Sequence, residues 1–357
     1  LPLYIARRQR LYLARLPNTG PQHAPQCPAY EPAAALCGWS LYSKKALHES
    51  ADGALTIKLN VPLVLRAGGA TAPIASVSTT IERTMRDALG LTGLLHLLWE
   101  RSEFNRWHPG MLGRRRYRQW RKFTLDTAHG IHLNRQVLTR HLYIPERYVP
   151  TQALEIEARR QQAFAHLGTT PGGSPTRILV LGKLRARIEE TGLHLAHVPH
   201  EFVIGIEPAH LARLRQLTRF AWLDGHALHP EFQLFVLLTM QRSGDLTWSC
   251  DAITAVVTGK EFIPLFSIEE AILCRRLVDE GRSFYKPLPY DGNAARLPNF
   301  ILTDTGECSV PLEIIPCDAA AAAMSRVRLE SYEATQQRFW RWDVSDASVP
   351  PPLPAKE

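Results

Sequence analysis

Ser267–Asp343 reads SIEEAILCRRLVDEGRSFYKPLPYDGNAARLPNFILTDTGECSVPLEIIPCDAAAAAMSRVRLESYEATQQRFWRWD, and its order of elements is open to inspection. Ser267 suits a helix N-cap, with Glu269 and Glu270 in the first turn where acidic groups complement the dipole. Ile268, Ile272, Leu273, Leu277 and Val278 form an apolar stripe, and Gly281 ends the helix. Three short apolar runs follow, Phe284–Leu288, Phe300–Thr303 and Val310–Ile315, separated by turn-rich segments at 290–293 and 304–307. A second helix is expected over Ala319–Phe339.

Outward from this stretch the chain divides by composition. Residues 1–75 read as β-rich, with a hairpin at Leu3–Ala6 and Leu11–Ala14, a Pro-rich loop, and a strand at Leu55–Leu65. Residues 76–168 read as helical and basic, with a helix capped by Thr79 or Thr80, an apolar run at Leu91–Trp99 and a solvated helix at Thr151–Leu167. After the linker at 169–175, residues 176–265 read as an α+β unit. Its strands are expected at Arg177–Ile188, Leu193–Val198, Phe232–Met240 and Leu246–Thr258, with a helix at Pro208–Trp222 that Pro208 can start. Residues 266–345 are the helix–meander–helix unit. Residues 346–357 form a Pro-rich tail expected to be disordered. The fold class is therefore α+β, built of several units.

The 357 residues carry 42 Lys+Arg against 34 Asp+Glu, a formal charge of +8, which favours a polyanionic partner such as DNA. No apolar run approaches the roughly 20 residues of a membrane helix, and no signal peptide is visible near the arginine-rich start. Six cysteines in so long a chain do not make a disulfide framework, so a reducing cytoplasm is expected. Phosphate-binding glycine loops are absent: there is no GxxxxGK[ST] and no GxGxxG, which argues against a nucleotide cofactor.

Three groups of residues carry candidate chemistry. The first is the basic segment Arg114, Arg115, Arg116, Arg118, Arg121 and Lys122, interleaved with Tyr117 and Trp120. Arginines contact phosphates and aromatics can stack on bases; the alternative is an aromatic face that buries itself beneath a solvated basic one. The second is His23-x3-Cys27 with Cys37, plausible zinc ligands one short of a structural set. The third is the set of carboxylates and lysine in the last unit: Glu270, Asp304, Glu313 and Lys286.

Two resemblances frame these residues. LHLLWERSEFNRWHP at Leu95–Pro109, PNTGPQHAPQCPAYEP near the N-terminus and KEFIPLFSIEEAIL at Lys260–Leu273 resemble the domain of unknown function 1173. This implies a bacterial accessory protein of mobile DNA, carried on plasmids or integrative conjugative elements. It also implies a cysteine pair ahead of Leu1 that would complete a zinc site. The helix–meander–helix order resembles the αβββα core of the restriction-endonuclease-like nucleases. That resemblance implies a Pro-Asp motif on one strand and Asp/Glu-x-Lys on the next, with two carboxylates holding Mg²⁺.

Here the first motif falls on Pro298-Asn299-Phe300 and the second on Glu313-Ile314-Ile315. An amide replaces one metal carboxylate and isoleucine replaces the lysine. Asp304 lies five residues past Asn299, about 16 Å along an extended strand at ~3.3 Å per residue and on the other face. The expectation is a DNA-associated accessory protein whose degenerate nuclease-like unit binds or scaffolds. The alternatives are an active Mg²⁺-dependent nuclease using Glu313, Asp304 or Glu270, and Lys286, or a protein that contacts only other proteins of conjugation.

Overall fold

The computed structural model of the chain describes residues 3–7, 11–16, 19–27, 29–33, 36–50, 53–63, 85–133, 135–165, 167, 176–185, 192–223, 227–243 and 247–357. The helix expected from Thr79 or Thr80 starts outside these residues, as does the 169–175 linker. The described residues fold into six α-helices and several mixed sheets.

The central sheet has the order β10-β12-β11-β9-β8, with β13 paired to β12. Its strands are β8 (Leu142–Tyr143), β9 (Ile178–Lys183), β10 (Ile204–Ile206), β11 (Gln233–Ser243), β12 (Thr247–Thr258) and β13 (Pro264–Leu265). The nearly unbroken apolar run of β11 marks a strand covered on both faces. Leu234, Val236, Leu238 and Met240 enter one core, while Phe235 and Leu237 enter the other. The strand expected over Leu193–Val198 survives only as isolated bridges, Leu184 to Leu195 and Leu193 to Ile204.

α1 (Leu91–Arg101) lies over one face of this sheet. It is apolar almost all round, as a fully packed helix must be; Leu94, Leu95, Leu97, Leu98 and Trp99 are completely buried. No side chain of its own caps it. Asp291, 201 residues after Gly90, supplies the acceptor, taking the Gly90 N–H at 2.6 Å, the Gly93 N–H at 2.9 Å and the Tyr42 hydroxyl at 2.5 Å. A Cβ on either glycine would stand 2.6 Å or less from Asp291 or Tyr42, so the close approach requires glycine. α2 (Tyr117–His129) packs on α1, with the rings of Trp99, Trp120 and Phe235 in tilted and edge-to-face contact, centroids 4.5–5.2 Å apart, between them and the sheet. α3 (Ala153–Phe164) buries Ile156, Arg160 and Phe164, and α4 (Pro208–Leu217) starts on the expected proline.

A small sheet, β3-β4-β6-β7, joins β3 (Leu47–Glu49), β4 (Leu55–Ile57), β6 (Ile131–Leu133) and β7 (Gln136–Val137). The expected hairpin at the start forms as β1 (Leu3–Arg7) and β2 (Leu11–Arg15).

The last sheet, β17-β16-β15-β14-β5, holds the stretch quoted at the outset. α5 (Ile268–Asp279) starts at Ser267, whose hydroxyl accepts the Glu270 N–H at 3.2 Å, and stops at Gly281 with φ +63°. The meander β14 (Phe284–Tyr285), β15 (Phe300–Leu302) and β16 (Val310–Ile315) is antiparallel throughout. α6 (Ala319–Ala334) is shorter than expected: the chain turns at Gln336, φ +53°, and re-enters the sheet as β17 (Trp340–Asp343), parallel to β16. Alternating burial of Trp340 and Trp342 fixes that strand. The other edge is β5 (Arg106–Trp107), which pairs with β14. One core runs from Trp107 through Trp342 and the second from Tyr42 through Tyr290, so the segments of the linear reading share their cores.

The Pro-rich tail departs from the expected disorder. Arg276 donates to the Pro350 and Pro351 carbonyls, the Trp340 indole to Pro352 at 2.9 Å and Arg282 to Pro354 at 2.7 Å. Lys356 and the Glu357 N–H close the strap on Gly281 and Asp304 at 3.0 Å each. Proline leaves its carbonyl free to accept, and three donors on the body take these up.

Candidate functional site

The polar residues of the last sheet meet where α5 crosses the meander. Glu270 is one turn into α5 and turns inward. Lys286 follows directly on β14, and Asn299 immediately precedes β15. The Lys286 ammonium lies 2.6 Å from Glu270 Oε1 and 2.9 Å from the Asn299 carbonyl. Asn299 Nδ2 donates to the same Glu270 oxygen at 2.8 Å, and its Oδ1 accepts the Ile314 N–H at 2.8 Å. Glu270 Oε2 accepts the Phe266 N–H at 2.8 Å. Asn299 thus ties α5 to β16 beside Glu313.

Glu313 is fully enclosed. Arg328 on α6 grips it with Nε at 2.9 Å and Nη2 at 2.6 Å, and the Tyr332 hydroxyl donates to Oε1 at 2.9 Å. Burial pushes the Glu313 carboxyl above the ordinary range, opposed by Arg328. The same desolvation lowers Lys286, opposed by Glu270 and more weakly by Glu313. The Lys286 ammonium also faces the rings of Phe266 and Phe300, 4.8 Å from each centroid. Glu270, Lys286, Asn299 and Glu313 are brought together as a closed network in which every carboxylate oxygen has a donor.

Asp304 is elsewhere. Arg282 holds its carboxylate at 2.8–3.3 Å, and the Ser283 N–H adds a bond at 2.8 Å. It anchors the loop that receives the tail, past the other end of β15 from Asn299.

The basic segment is divided by burial. Arg115 is consumed inside: it donates to the carbonyls of Phe104, Glu103, Arg106 and Glu261 and faces the Phe104 and Trp107 rings. Trp120 is completely buried and Tyr117 packs on it, its hydroxyl bonded to the Pro145 carbonyl at 2.8 Å. Neither ring is presented for stacking on a base. Arg121 donates to the Ile144 carbonyl at 3.1 Å and Lys122 pairs with Asp126 at 2.9 Å. Arg114, Arg116 and Arg118 remain exposed.

Of the three expected zinc ligands, His23 and Cys27 are neighbours. Cys27 Sγ lies 3.7 Å from His23 Nδ1. Burial, with Glu100 nearby, raises the Cys37 thiol. Among the described residues no three His, Cys, Asp or Glu side chains are grouped to hold a metal ion.

Several participants were not singled out from sequence. Asn105 clamps Lys286 through paired bonds, Nδ2 to the Lys286 carbonyl at 3.0 Å and the Lys286 N–H to the Asn105 carbonyl at 2.7 Å. Tyr332 stands four residues past Arg328 on α6, a spacing that puts it on the same face. His96 lies behind Phe266 and Tyr290, its pKa lowered to about 4 by burial. Glu100, at the end of α1, is raised to about 7 by burial and by Glu31. His96, Glu100 and Asn105 all belong to the segment Leu95–Pro109.

That segment therefore builds the wall behind Lys286. The family model described as a protein of unknown function (DUF1173) matches residues 1–345. The chain belongs to this family. Neither the curated proteins nor the solved structures hold a match. The family match thus spans both the wall and the closed network, and extends to the end of β17.

Proposed function

We propose that the protein is a DNA-associated accessory protein of mobile genetic elements, whose C-terminal unit is a restriction-endonuclease-like core that binds or scaffolds rather than cuts. The supporting topology is α5, the β14–β15–β16 meander, α6 and the parallel β17. The observation that carries the reading is the position of the Lys286 ammonium. It sits against Glu270 and Asn299, where a nuclease needs carboxylates open to Mg²⁺.

For the Mg²⁺ that the resemblance implies, these donors do not fit. Glu270 is saturated by Lys286, Asn299 and the Phe266 N–H, and Glu313 by Arg328 and Tyr332. Magnesium binds through one or two free carboxylates and retained waters, and entry here would require breaking two buried ion pairs. Arg114, Arg116 and Arg118 supply exposed positive charge for phosphate contact.

Gel retardation of plasmid and of single-stranded oligonucleotides should show binding at low ionic strength that weakens as salt rises. Plasmid incubated with Mg²⁺ or Mn²⁺ should stay supercoiled. Absence of any salt-dependent shift would defeat the binding reading. Nicking that disappears in Glu313→Ala would replace it with an active nuclease.

A further inference from the structure

The structure also gathers positive charge away from the closed network. β8 runs parallel to β9, with Leu142 opposite Leu179 and Tyr143 opposite Val180. The chain leaving β8 toward Arg147 runs in the same direction as β9, whose last residue is Lys183. The Ala196 N–H donates to the Lys183 carbonyl at 2.7 Å, which sets His197 beside the same end. His197 has φ +69°, a conformation costly for histidine. Its ring lies 4.2 Å from that of Tyr117 on α2. The Tyr117 and Arg121 bonds to the Pro145 and Ile144 carbonyls lock α2 against the strand that leads to Arg147.

The charge at this junction is unbalanced. Lys183 Nζ donates to the neutral Gln233 Oε1 at 2.9 Å. Glu146, the acid next to Arg147, is shared by Arg159 at 2.9 Å and Arg121 at 3.8 Å. Among the described residues, Lys183, His197 and Arg147 make no ion pair with a carboxylate. Burial, Lys183 and Arg147 all hold His197 below the ordinary histidine range.

We propose that Lys183, His197 and Arg147 form a phosphate seat that takes a phosphodiester group of a nucleic-acid backbone. This rests on the DNA-binding reading above and places its contact on the central sheet rather than on the nuclease-like unit. A bound phosphate would favour the imidazolium form of His197, so binding should take up a proton.

The test is fluorescence anisotropy of a labelled oligonucleotide, titrated against salt and pH, with wild-type protein, Lys183→Met, Arg147→Met, His197→Asn and the triple variant Arg114→Ala/Arg116→Ala/Arg118→Ala. Asparagine tolerates the left-handed backbone, and thermal melting checks that each variant folds. Each of Lys183→Met and Arg147→Met should weaken binding about 5-fold or more and lower the salt slope by about one. Wild-type affinity should rise between about pH 8 and about pH 5.5, and His197→Asn should lose that dependence. If wild type binds and the three seat variants match it while the triple variant fails, the seat is overturned and the DNA reading stands. If wild type binds no DNA, both fall. Inorganic phosphate that still shifts the His197 ring signals in an NMR titration would then assign the seat to a free phosphate and overturn the nucleic-acid assignment.

Discussion

Lys286 is one residue with two neighbours that need it. Its ammonium neutralises Glu270 and satisfies the Asn299 carbonyl inside a dry wall of Phe266 and Phe300. Removing one partner of such a pair leaves a buried charge uncompensated, which costs about 3–5 kcal/mol. Lys286→Met should therefore lower stability in urea denaturation by that amount, and adding Glu270→Gln should recover most of it; a double variant as weak as the single would refute the pairing. Glu100 and His96 give an opposed pair of pH effects. Glu100 is raised from 4.5 to about 7, so its folded form holds the proton more tightly. Stability from this group is full below about pH 4.5 and declines as pH rises to about 7, by at most about 3 kcal/mol. His96 is lowered from 6.5 to about 4, so its contribution is full above pH 6.5 and is lost as pH falls toward 4. The two slopes partly cancel in the wild type. Glu100→Gln should unmask the His96 slope, making chemical stability fall more steeply on acidification from pH 6.5. At this scale the sequence was informative about substitutions and left the choice among partners open. Asn299 and Ile315 stand out against the motif they resemble, and the five-residue offset of Asp304 foretells its separation. Lys286, Arg326 and Arg328 are all candidates to place positive charge near Glu313; that Arg328 grips it depends on how α6 docks.

At the scale of elements, most of the last unit follows from local chemistry: Ser267 caps α5, Gly281 ends it, and three apolar runs become three strands. The end of α6 does not, because Thr335–Phe339 has no proline or glycine to break a helix. The break is imposed from outside, by burial of Trp340 and Trp342 beside β16. The tail is a second case. Its composition argues for disorder, while Arg276, Arg282 and Trp340 bind its carbonyls at fixed points. Deleting residues 349–357 should lower the melting temperature and expose the 280–284 turn to protease; unchanged melting and digestion would show the strap to be dispensable. α1 borrows its cap from Asp291. Asp291→Ala should cost about 2 kcal/mol through loss of a charged cap at a buried helix start, with Tyr42→Phe costing less, both measured by urea denaturation. The sequence marks Asp291 only as a turn residue, since its partners lie about 200 positions away.

At the scale of the whole molecule, the mixture of helix and strand is readable from periodicity, whereas the short strands β5 to β8, in a region that reads as helical, and the joining of the segments are not. β5 consists of two residues, too short to register as a strand, yet it completes the C-terminal sheet and carries Asn105 to Lys286 across 181 positions. The segment Leu95–Pro109, distinctive in sequence, proves to be the seam between the two cores. That seam has a consequence for synthesis. At roughly 5–20 residues per second, Asn105 leaves the ribosome on the order of 10–35 s before Lys286 exists to meet it. The buried wall of α1 must be guarded through that interval. Expression yield should therefore depend on chaperone supply more than final stability suggests, and fragments ending before β14 should be trapped as aggregates.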